Sequence, residues 1–296
     1  IQELIKENDK VVAMEADLGG ASKFTNIKKS NPENFIQCGI SEANMIGVGC
    51  GLSSEGFIPY VHTFGPFATR RVYDQIYLSG AYAHNTINIY GSDPGFTVGP
   101  NGGTHTTWED VALMREIPGS IIVDPCDETQ TRWVVKELSK HEGVHYIRAN
   151  RKDDRNVYTP DSTFELGKGN VLREGKDILI IVSGQLVSDA LDCAEKLVEE
   201  GYSVEVIDMY CIKPLDIDLV LSESKGKKAV VTFENHSIYG GLGSAVAEVL
   251  MENGVNVPFK RHGVDERFGQ VGTPDFLQKE FQLTADDLYR TIKSMI

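Results

Sequence analysis

Two short segments contain residue types that could take part in chemistry. Residues 39–45 (GISEANM) place Glu42 at the start of a run of small apolar residues with the pattern of a helix. Residues 62–71 (HTFGPFATRR) place Phe64 and Phe67 around a Gly-Pro elbow that could present a flat aromatic ring. A carboxylate at a helix start often only complements the helix dipole, and paired aromatic residues usually pack in a core. Neither segment alone therefore establishes a site.

A third segment, residues 91–110 (GSDPGFTVGPNGGTHTTWED), is rich in glycine and proline and contains His105. Loops of this length inside a compact domain are usually functional. A single histidine in a loop is more often a surface residue than a catalyst. The segment thus indicates a functional loop without fixing its chemistry.

A glycine-rich turn at residues 239–246 (YGGLGSAV) lies between a predicted strand and a predicted helix. Such a turn resembles part of a dinucleotide-binding motif. That motif also needs an acidic residue at the end of the next strand, where this sequence has Lys260 and Arg261. The turn is better explained as one that lets the helix pack closely.

Short apolar runs alternate with helical patterns along the chain. This rhythm predicts largely parallel sheets, because parallel strands need crossover connections. Residues 150–162 have the composition of a linker, so we predict two doubly wound α/β domains at residues 1–160 and 161–296. The predicted strands cover residues 11–17, 58–64, 86–92, 121–124, 144–149, 177–183, 203–209 and 229–233. The predicted helices cover residues 42–55, 67–84, 106–117, 128–141, 187–200 and 243–253.

The bulk properties exclude some classes of partner. The chain has 296 residues, a formal net charge of -14 and a pI of about 5.0, and an acidic surface argues against nucleic acid and anionic membranes. Its five cysteines form no CxxC pair, which indicates free thiols in a reducing compartment. No apolar run approaches the roughly 20 residues of a membrane span. The polar residues 1–10 lack the apolar core of a secretion signal, so we expect a cytoplasmic protein.

Taken together and in order, these segments resemble the transketolase family over almost the whole chain. In the first half the similar segments are residues 11–22 (VVAMEADLGGAS), 39–45 (GISEANM), 62–67 (HTFGPF), 97–105 (TVGPNGGTH) and 144–148 (VHYIR). In the second half they are residues 206–216 (VIDMYCIKPLD) and 234–250 (ENHSIYGGLGSAVAEVL). The resemblance implies a pyrimidine-binding domain followed by a transketolase C-terminal domain. It also implies thiamine diphosphate as cofactor and transfer of a two-carbon ketol unit from a ketose to an aldehyde.

The resemblance also implies a partner chain. Transketolases hold the diphosphate and its metal with a GDG segment in an N-terminal domain, and GDG does not occur in this sequence. The family includes enzymes split into two chains, and this chain resembles the second. We therefore expect an N-terminal transketolase subunit that holds the diphosphate and a divalent metal, expected to be Mg²⁺, in an α2β2 heterotetramer. No metal ligand is assigned to this chain.

Five residues match cofactor positions of the family. Glu42 corresponds to the glutamate that bonds to the pyrimidine ring and activates the cofactor for proton loss. Phe67 corresponds to the ring that stacks on the pyrimidine, and Phe64 lines the same pocket. Arg70 stands where the family often has a further aromatic residue, and Asp17 matches an aspartate near the cofactor.

A second group of residues matches substrate positions. His105 corresponds to a histidine that bonds sugar hydroxyls and assists catalysis, Arg148 to an arginine that grips a distal phosphate, and Ser22 is assigned to the same substrate. Asn101 replaces an aspartate that reads a donor hydroxyl. Asp93 replaces a histidine that faces the phosphate, and a carboxylate there is expected to repel phosphate. The sugar-type substrate is therefore expected to differ from ordinary pentose phosphates.

Two alternatives stay open from the sequence. One is a ketoacid-decarboxylating relative, similar to deoxyxylulose-phosphate synthase or to the beta subunit of a ketoacid dehydrogenase, which share this architecture. The other is a non-catalytic scaffold subunit. A scaffold would not need Glu42, Phe67 and His105, so their presence favours an enzyme.

We predict that the purified chain alone does not transfer two-carbon units and binds thiamine diphosphate weakly, because it lacks the diphosphate and metal segment. The measurement is turnover of the chain alone and of the chain mixed with a GDG-bearing partner, over a panel of ketoses and aldehydes. Strong turnover with no second polypeptide present would contradict the split-enzyme interpretation.

Overall fold

The computed structural model describes residues 1–20, 22–151 and 155–296. Residue 21, in the predicted cofactor segment, and residues 152–154, in the predicted linker, lie outside the described residues. No helix in the described part of the chain is long and apolar enough to cross a bilayer.

The strands lie in two sheets. They are β1 (Val11–Glu15), β2 (Phe35–Gln37), β3 (Ile58–Phe64), β4 (Ile87–Ser92), β5 (Ile121–Val123), β6 (Val144–Ala149), β7 (Asn170–Arg173), β8 (Ile178–Val182), β9 (Val204–Asp208), β10 (Cys211–Lys213), β11 (Ala229–Ser237) and β12 (Phe259–Val264). Across the described residues, the first sheet has seven strands in the order β10-β5-β6-β4-β3-β1-β2 and the second has five in the order β12-β11-β8-β9-β7. All neighbours are parallel except the edge pairs β10–β5 and β7–β9. The predicted class, two doubly wound α/β domains, is confirmed.

Helices lie before, between and after the strands along the chain. They are α1 (Gln2–Glu7), α2 (Phe24–Ser30), α3 (Glu42–Ser54), α4 (Gly65–Ala68), α5 (Tyr73–Gln75), α6 (Asp110–Arg115), α7 (Glu128–Leu138), α8 (Val187–Glu199), α9 (Ile217–Ser224), α10 (Leu242–Glu252), α11 (Pro274–Glu280) and α12 (Ala285–Lys293). Short 3₁₀ segments cover Pro32–Asn34, Arg70–Val72, Gly95–Asn101 and Gly184–Leu186, and a π-helical segment covers Ile76–Tyr82.

Each sheet has a hydrophobic core on both of its faces, as parallel sheets usually do. Successive residues of β1 belong to different cores: Ala13 packs with Tyr60 on one face, and Met14 packs with Ile46 on the other. The unbroken apolar run of β8 divides between two cores in the same way. This two-sided burial explains why the strands are apolar throughout and could be predicted from sequence.

One predicted helix is irregular in the structure. The helix expected over residues 67–84 begins earlier, at Gly65, and is interrupted at Thr69, whose backbone angles are not helical. The Thr69 hydroxyl donates a 2.7 Å hydrogen bond to the Gly65 carbonyl and so competes with regular helical bonding. The chain continues through the 3₁₀ turn Arg70–Val72 before it becomes helical again. This break changes the direction in which the side chains of that turn point.

The two halves of the chain share structure at their junction. β10 comes from the second half but pairs with β5 at the edge of the first sheet. The predicted division at residue 160 falls between β6 and β7 and stays a prediction. The second half therefore adds a strand to the first sheet in addition to packing against it.

A buried arginine ties this junction together. Arg148, on β6, is 2% exposed, and its guanidinium donates to Asp110 at 2.7 Å, to Asp124 at 3.3 Å and to the backbone carbonyl of Asn235. Burial alone would lower the pKa of Arg148, but Asp110 and Asp124 together raise it. Ser183, which follows β8, donates a 2.8 Å hydrogen bond to Asp124. The first domain thus supplies the charges, and the second domain supplies two of their hydrogen-bond partners.

We predict that Arg148→Met lowers the free energy of unfolding of the chain by about 3–5 kcal/mol, because it leaves two buried carboxylates without their cation. Arg155→Met is the matched control: Arg155 pairs with Asp192 at the surface, where such pairs contribute about 0–1 kcal/mol. Urea unfolding at one fixed chain concentration measures both. A loss below about 1 kcal/mol for Arg148→Met would show that the junction does not depend on this residue.

Candidate active site

The candidate site lies where the strands of the first sheet end. β2, β3, β4 and β6 all run parallel to β1 or to one another, so their carboxyl ends meet at one edge. Glu42 follows β2, Phe64 is the last residue of β3, and Asp93 follows β4 directly. Ligands of open α/β sheets bind at this edge. The topology therefore gathers residues that are far apart in sequence.

Glu42 is the first residue of α3 and is held in a buried position. It is 6% exposed, and the preceding residue, Ser41, donates from its hydroxyl to the carbonyl of Cys38 at 2.7 Å. The Glu42 carboxylate accepts a 2.7 Å hydrogen bond from the Arg71 guanidinium. A buried carboxylate needs such a partner, because an unpaired buried charge is costly.

Two phenylalanines and a histidine form an aromatic cluster beside Glu42. The Phe64 and Phe67 rings meet edge to face with centroids 6.2 Å apart. His105 lies 5.4 Å from Phe64 and 5.0 Å from Phe67. The elbow needs glycine at Gly65, because a Cβ there would lie 2.6 Å from a Thr107 methyl group. The structure therefore brings the Gly-Pro elbow close to His105, at the end of the glycine-rich loop of residues 97–105 (the glycine loop). Sequence order alone could not show this.

The surroundings of His105 favour the neutral form of its imidazole. Its Nδ1 lies 2.9 Å from the Thr104 hydroxyl. Burial and the nearby charge of Arg71 lower the pKa of His105 below its usual value. The ring can therefore accept or donate a hydrogen bond near pH 7 without carrying a charge.

Arg71 is a site residue that the sequence reasoning missed. Its guanidinium carbon lies 3.6 Å from the centroid of the Phe67 ring while it donates to Glu42. Arg70, which was expected in the pocket, turns away and bonds to Glu109 at 2.5 Å and to the Thr104 carbonyl at 3.4 Å. Arg71, in contrast to Arg70, thus contacts both Phe67 and Glu42, and the role of Arg70 toward the cofactor stays a prediction. Local spacing gave no signal for this choice, because the helix is interrupted at Thr69, between Phe67 and Arg71.

Asp93 does not face an open anion site as predicted. It is 2% exposed and forms an ion pair with Arg151. The guanidinium carbon of Arg151 lies 4.6 Å from the centroid of the Phe64 ring. The ion pair with Arg151 offsets the Asp93 charge that was expected to repel phosphate, and the effect of Asp93 on substrate choice stays a prediction. Arg151, which follows β6, is thus a second cation beside the aromatic cluster, in addition to Arg71.

Arg148 is likewise not available to bind a distal phosphate, the role that the family resemblance implied. Its guanidinium is used by Asp110, Asp124 and the Asn235 carbonyl. A side chain that is 2% exposed and bound on every side in this way has no surface for a phosphate. Its role in the structure is to hold the domains together.

Comparisons with known proteins match this geometry. Residues 1–155 match the family model "Transketolase, pyrimidine binding domain", and residues 167–288 match "Transketolase, C-terminal domain". The chain is 44% identical over 288 residues to a 6-deoxy-6-sulfo-D-fructose transketolase subunit from Clostridium sp. (strain MSTE9), covering 97% of this chain and 89% of that one. It is 36% identical over 256 residues to an apulose-4-phosphate transketolase subunit from Phocaeicola vulgatus, covering 86% and 82%. It also superposes with a TM-score of 0.92 and 40% identity on a solved split gene transketolase, described as an inactive beta4 tetramer, covering 99% and 94%.

The chain belongs to the transketolase family. It is the second subunit of a split, thiamine-diphosphate-dependent transketolase-like enzyme, a transferase that needs a partner subunit. The family resemblance and the fold class predicted from sequence are confirmed. The relatives are transketolase subunits, and no observation favours the ketoacid-decarboxylating or scaffold alternatives.

The pocket of this transketolase subunit suits the pyrimidine of thiamine diphosphate. The Phe67 ring and the Glu42 carboxylate already hold one flat, hydrogen-bonding group between them, the guanidinium of Arg71. A flat ring whose nitrogen bonds to a carboxyl group can make the same two contacts. The residues present therefore fit the cofactor half that this domain is expected to bind.

The remaining predicted site residues of the transketolase subunit make contacts outside the aromatic cluster. Asp17 is exposed after β1, and its backbone N–H donates to Gln37 at 3.1 Å. Asn101 is exposed and donates to the Val98 carbonyl at 3.3 Å. The Ser22 hydroxyl accepts a 3.3 Å hydrogen bond from the backbone N–H of Phe24, the first residue of α2. Their roles toward cofactor and substrate stay predictions.

The glycine loop of the transketolase subunit is clamped by the second domain. A Cβ at Gly102 would lie 2.6 Å from a Val271 methyl group, and one at Gly103 would lie 2.4 Å from the Gly269 carbonyl. Side chains at these loop positions would therefore push the two domains apart. The glycines let the second domain press against the loop that carries His105.

The glycine-rich turn before α10 has a structural role. The Glu234 carboxylate accepts hydrogen bonds from the backbone N–H groups of Leu242 at 2.8 Å and Gly243 at 2.9 Å. A Cβ at Gly241 would lie 2.1 Å from the same carboxylate. Because Glu234 takes the helix amides that a diphosphate would need, the structure supports the tight-turn interpretation over dinucleotide binding.

No cluster of three or more histidine, cysteine or acidic side chains that could hold a metal ion is found among residues 1–20, 22–151 and 155–296.

We predict that Glu42→Gln in the assembled enzyme slows exchange of the cofactor C2 proton by roughly 10²-fold or more, because an amide cannot share a proton with the pyrimidine nitrogen. Hydrogen–deuterium exchange at C2, followed by NMR, measures this. Glu55→Gln is the control, since Glu55 is exposed at the other end of α3. An unchanged exchange rate in Glu42→Gln would refute the assignment.

Proposed function

We propose that this chain supplies the pyrimidine half of a two-carbon transfer site completed by an N-terminal subunit. That subunit would hold the diphosphate and a divalent metal, Mg²⁺, and the two chains would form an α2β2 heterotetramer. The convergence of Glu42, Phe67 and His105 at one edge of the sheet is the observation that carries the proposal. The solved relative described as an inactive tetramer of beta chains is in keeping with an active site that needs both subunits.

Each site residue of this chain would have a separate role, set by its position. Thiamine diphosphate, when bound, supplies the nucleophilic carbon that takes up the two-carbon unit. Glu42 would share a proton with the pyrimidine nitrogen, and Phe67 would fix the ring by stacking. His105, as a neutral imidazole, would hydrogen-bond a substrate hydroxyl and move a proton to or from it.

We propose that the substrate is a sugar with an anionic end and that Arg151 recognises that end. Arg151 is partly exposed, lies over Phe64 and is oriented by the buried Asp93. A guanidinium suits the planar, multidentate recognition of phosphate or sulfonate oxygens. The names of two relatives carry such groups, a 6-sulfo sugar and a 4-phosphate sugar. Arg148 is unsuited to this role because its donors are already used within the protein.

A cytoplasmic location remains part of this proposal. All five cysteines are free thiols in the structure, and four of them are buried. Unpaired cysteines are usual in a reducing compartment. We leave out nucleic acid and anionic membrane surfaces as partners only because the chain carries a net negative charge.

We predict that Arg151→Met lowers kcat/KM for an anionic ketose or aldehyde by about tenfold, and for a neutral sugar of equal length by less than about twofold. A charge-assisted hydrogen bond contributes roughly 1.5–3 kcal/mol, and partial exposure reduces this toward about 1.4 kcal/mol, or tenfold. Steady-state kinetics of the two-subunit enzyme measure both substrates.

Two further variants make this test specific. Arg151→Lys keeps the charge and is expected to recover part of the loss. Arg155→Met removes a surface arginine that pairs with Asp192 and is expected to affect both substrates equally. If Arg151→Met lowers kcat/KM equally for anionic and neutral sugars, Arg151 does not read the substrate charge.

A further inference from the structure

Arg71 makes the two contacts that the pyrimidine of the cofactor is expected to make. Its guanidinium carbon lies 3.6 Å from the centroid of the Phe67 ring, and one of its nitrogens bonds to Glu42 at 2.7 Å. Phe64 and His105 already pack against Phe67. The guanidinium therefore covers the part of the Phe67 ring that a ligand would stack on.

The two partners of this ion pair differ in how firmly they are held. The Glu42 side chain is 7% exposed and begins a regular helix, α3. The Arg71 side chain is 45% exposed and reaches in from the irregular turn that follows Thr69. The exposed, flexible-stemmed arginine can leave at much lower cost than the buried glutamate. When the ion pair breaks, Arg71 would thus move and Glu42 would stay in place.

We propose that Arg71 is an intramolecular placeholder for the pyrimidine, which occupies the Glu42–Phe67 slot in the chain without cofactor and must leave when cofactor binds. This inference rests on the proposed function of the pocket. The placeholder pairs the buried Glu42 charge and covers the aromatic ring until the cofactor arrives. Cofactor affinity is then reduced by the fraction of molecules in which Arg71 occupies the slot.

Displacement has a second consequence for His105. The charge of Arg71 helps to lower the pKa of His105, after the larger effect of burial. When Arg71 leaves, that charge moves away from the imidazole. Cofactor binding and the basicity of His105 would thus be linked through one side chain.

The test is Arg71→Met in the complex of the full chain with its diphosphate-binding subunit, stripped of cofactor. Titration calorimetry with thiamine diphosphate and Mg²⁺ is expected to show roughly fivefold tighter binding than in the parent complex. Stopped-flow binding rates are expected to level off at high cofactor concentration in the parent, where opening limits binding, and to keep rising in the variant. In the chain alone, NMR titration is expected to show a raised pKa for His105 in the variant.

Two controls separate this role from a general effect of charge or stability. Arg132→Met removes an exposed arginine that pairs with Glu3 and Glu128 on the same domain and is expected to leave affinity and the pKa of His105 unchanged. Arg71→Lys keeps the charge without the planar stack and is expected to bind cofactor with intermediate affinity.

Each outcome decides one claim. Unchanged or weaker cofactor binding in Arg71→Met, with normal binding in the parent, would overturn the placeholder and leave the proposed function intact. An unchanged pKa of His105 in the variant would also overturn it, because Arg71 would then not lie beside that ring. Failure of the parent complex itself to bind thiamine diphosphate would instead refute the proposed function.

Discussion

The buried Arg148 guanidinium is the interaction on which much of the remaining structure depends. It pairs with Asp110, where α6 begins, and with Asp124, where β5 has ended, and it also bonds to a carbonyl of β11 in the second sheet. A buried cation with two carboxylates is stable only while all three remain together. The same residues therefore join the first domain to the second.

That junction also positions the loop of the candidate site. Asn235, whose carbonyl binds Arg148, donates from its side chain to the Pro94 carbonyl at 3.0 Å and accepts from the Phe96 N–H at 3.3 Å. Gly95 lies between these two bonds with a φ of 58°, and a Cβ there would lie 2.0 Å from the Asn235 side chain. Only glycine suits that position. The second domain contributes no residue to the aromatic cluster, yet it holds the start of the loop that ends in His105.

Charge in the candidate site is compensated within the chain. The buried carboxylates Glu42 and Asp93 each pair with an arginine, Arg71 and Arg151 respectively, which is more exposed than its partner. In both pairs the guanidinium also lies over an aromatic ring. The aromatic cluster thus has a cation over each of its two phenylalanine rings.

The sequence by itself determined the two parallel-sheet domains and the order of Glu42, Phe67 and His105 along the chain, because apolar runs such as β8 and glycine-rich loops are local patterns. Only the tertiary structure decided which arginines lie beside the aromatic cluster. Arg148 and Arg151 lie on the same stretch of chain, but the partners of Arg148 are 24 and 38 residues away in sequence. Whether Arg70 or Arg71 enters the pocket depends on the helix break at Thr69. Charges pair through space, so their partners cannot be read from local spacing.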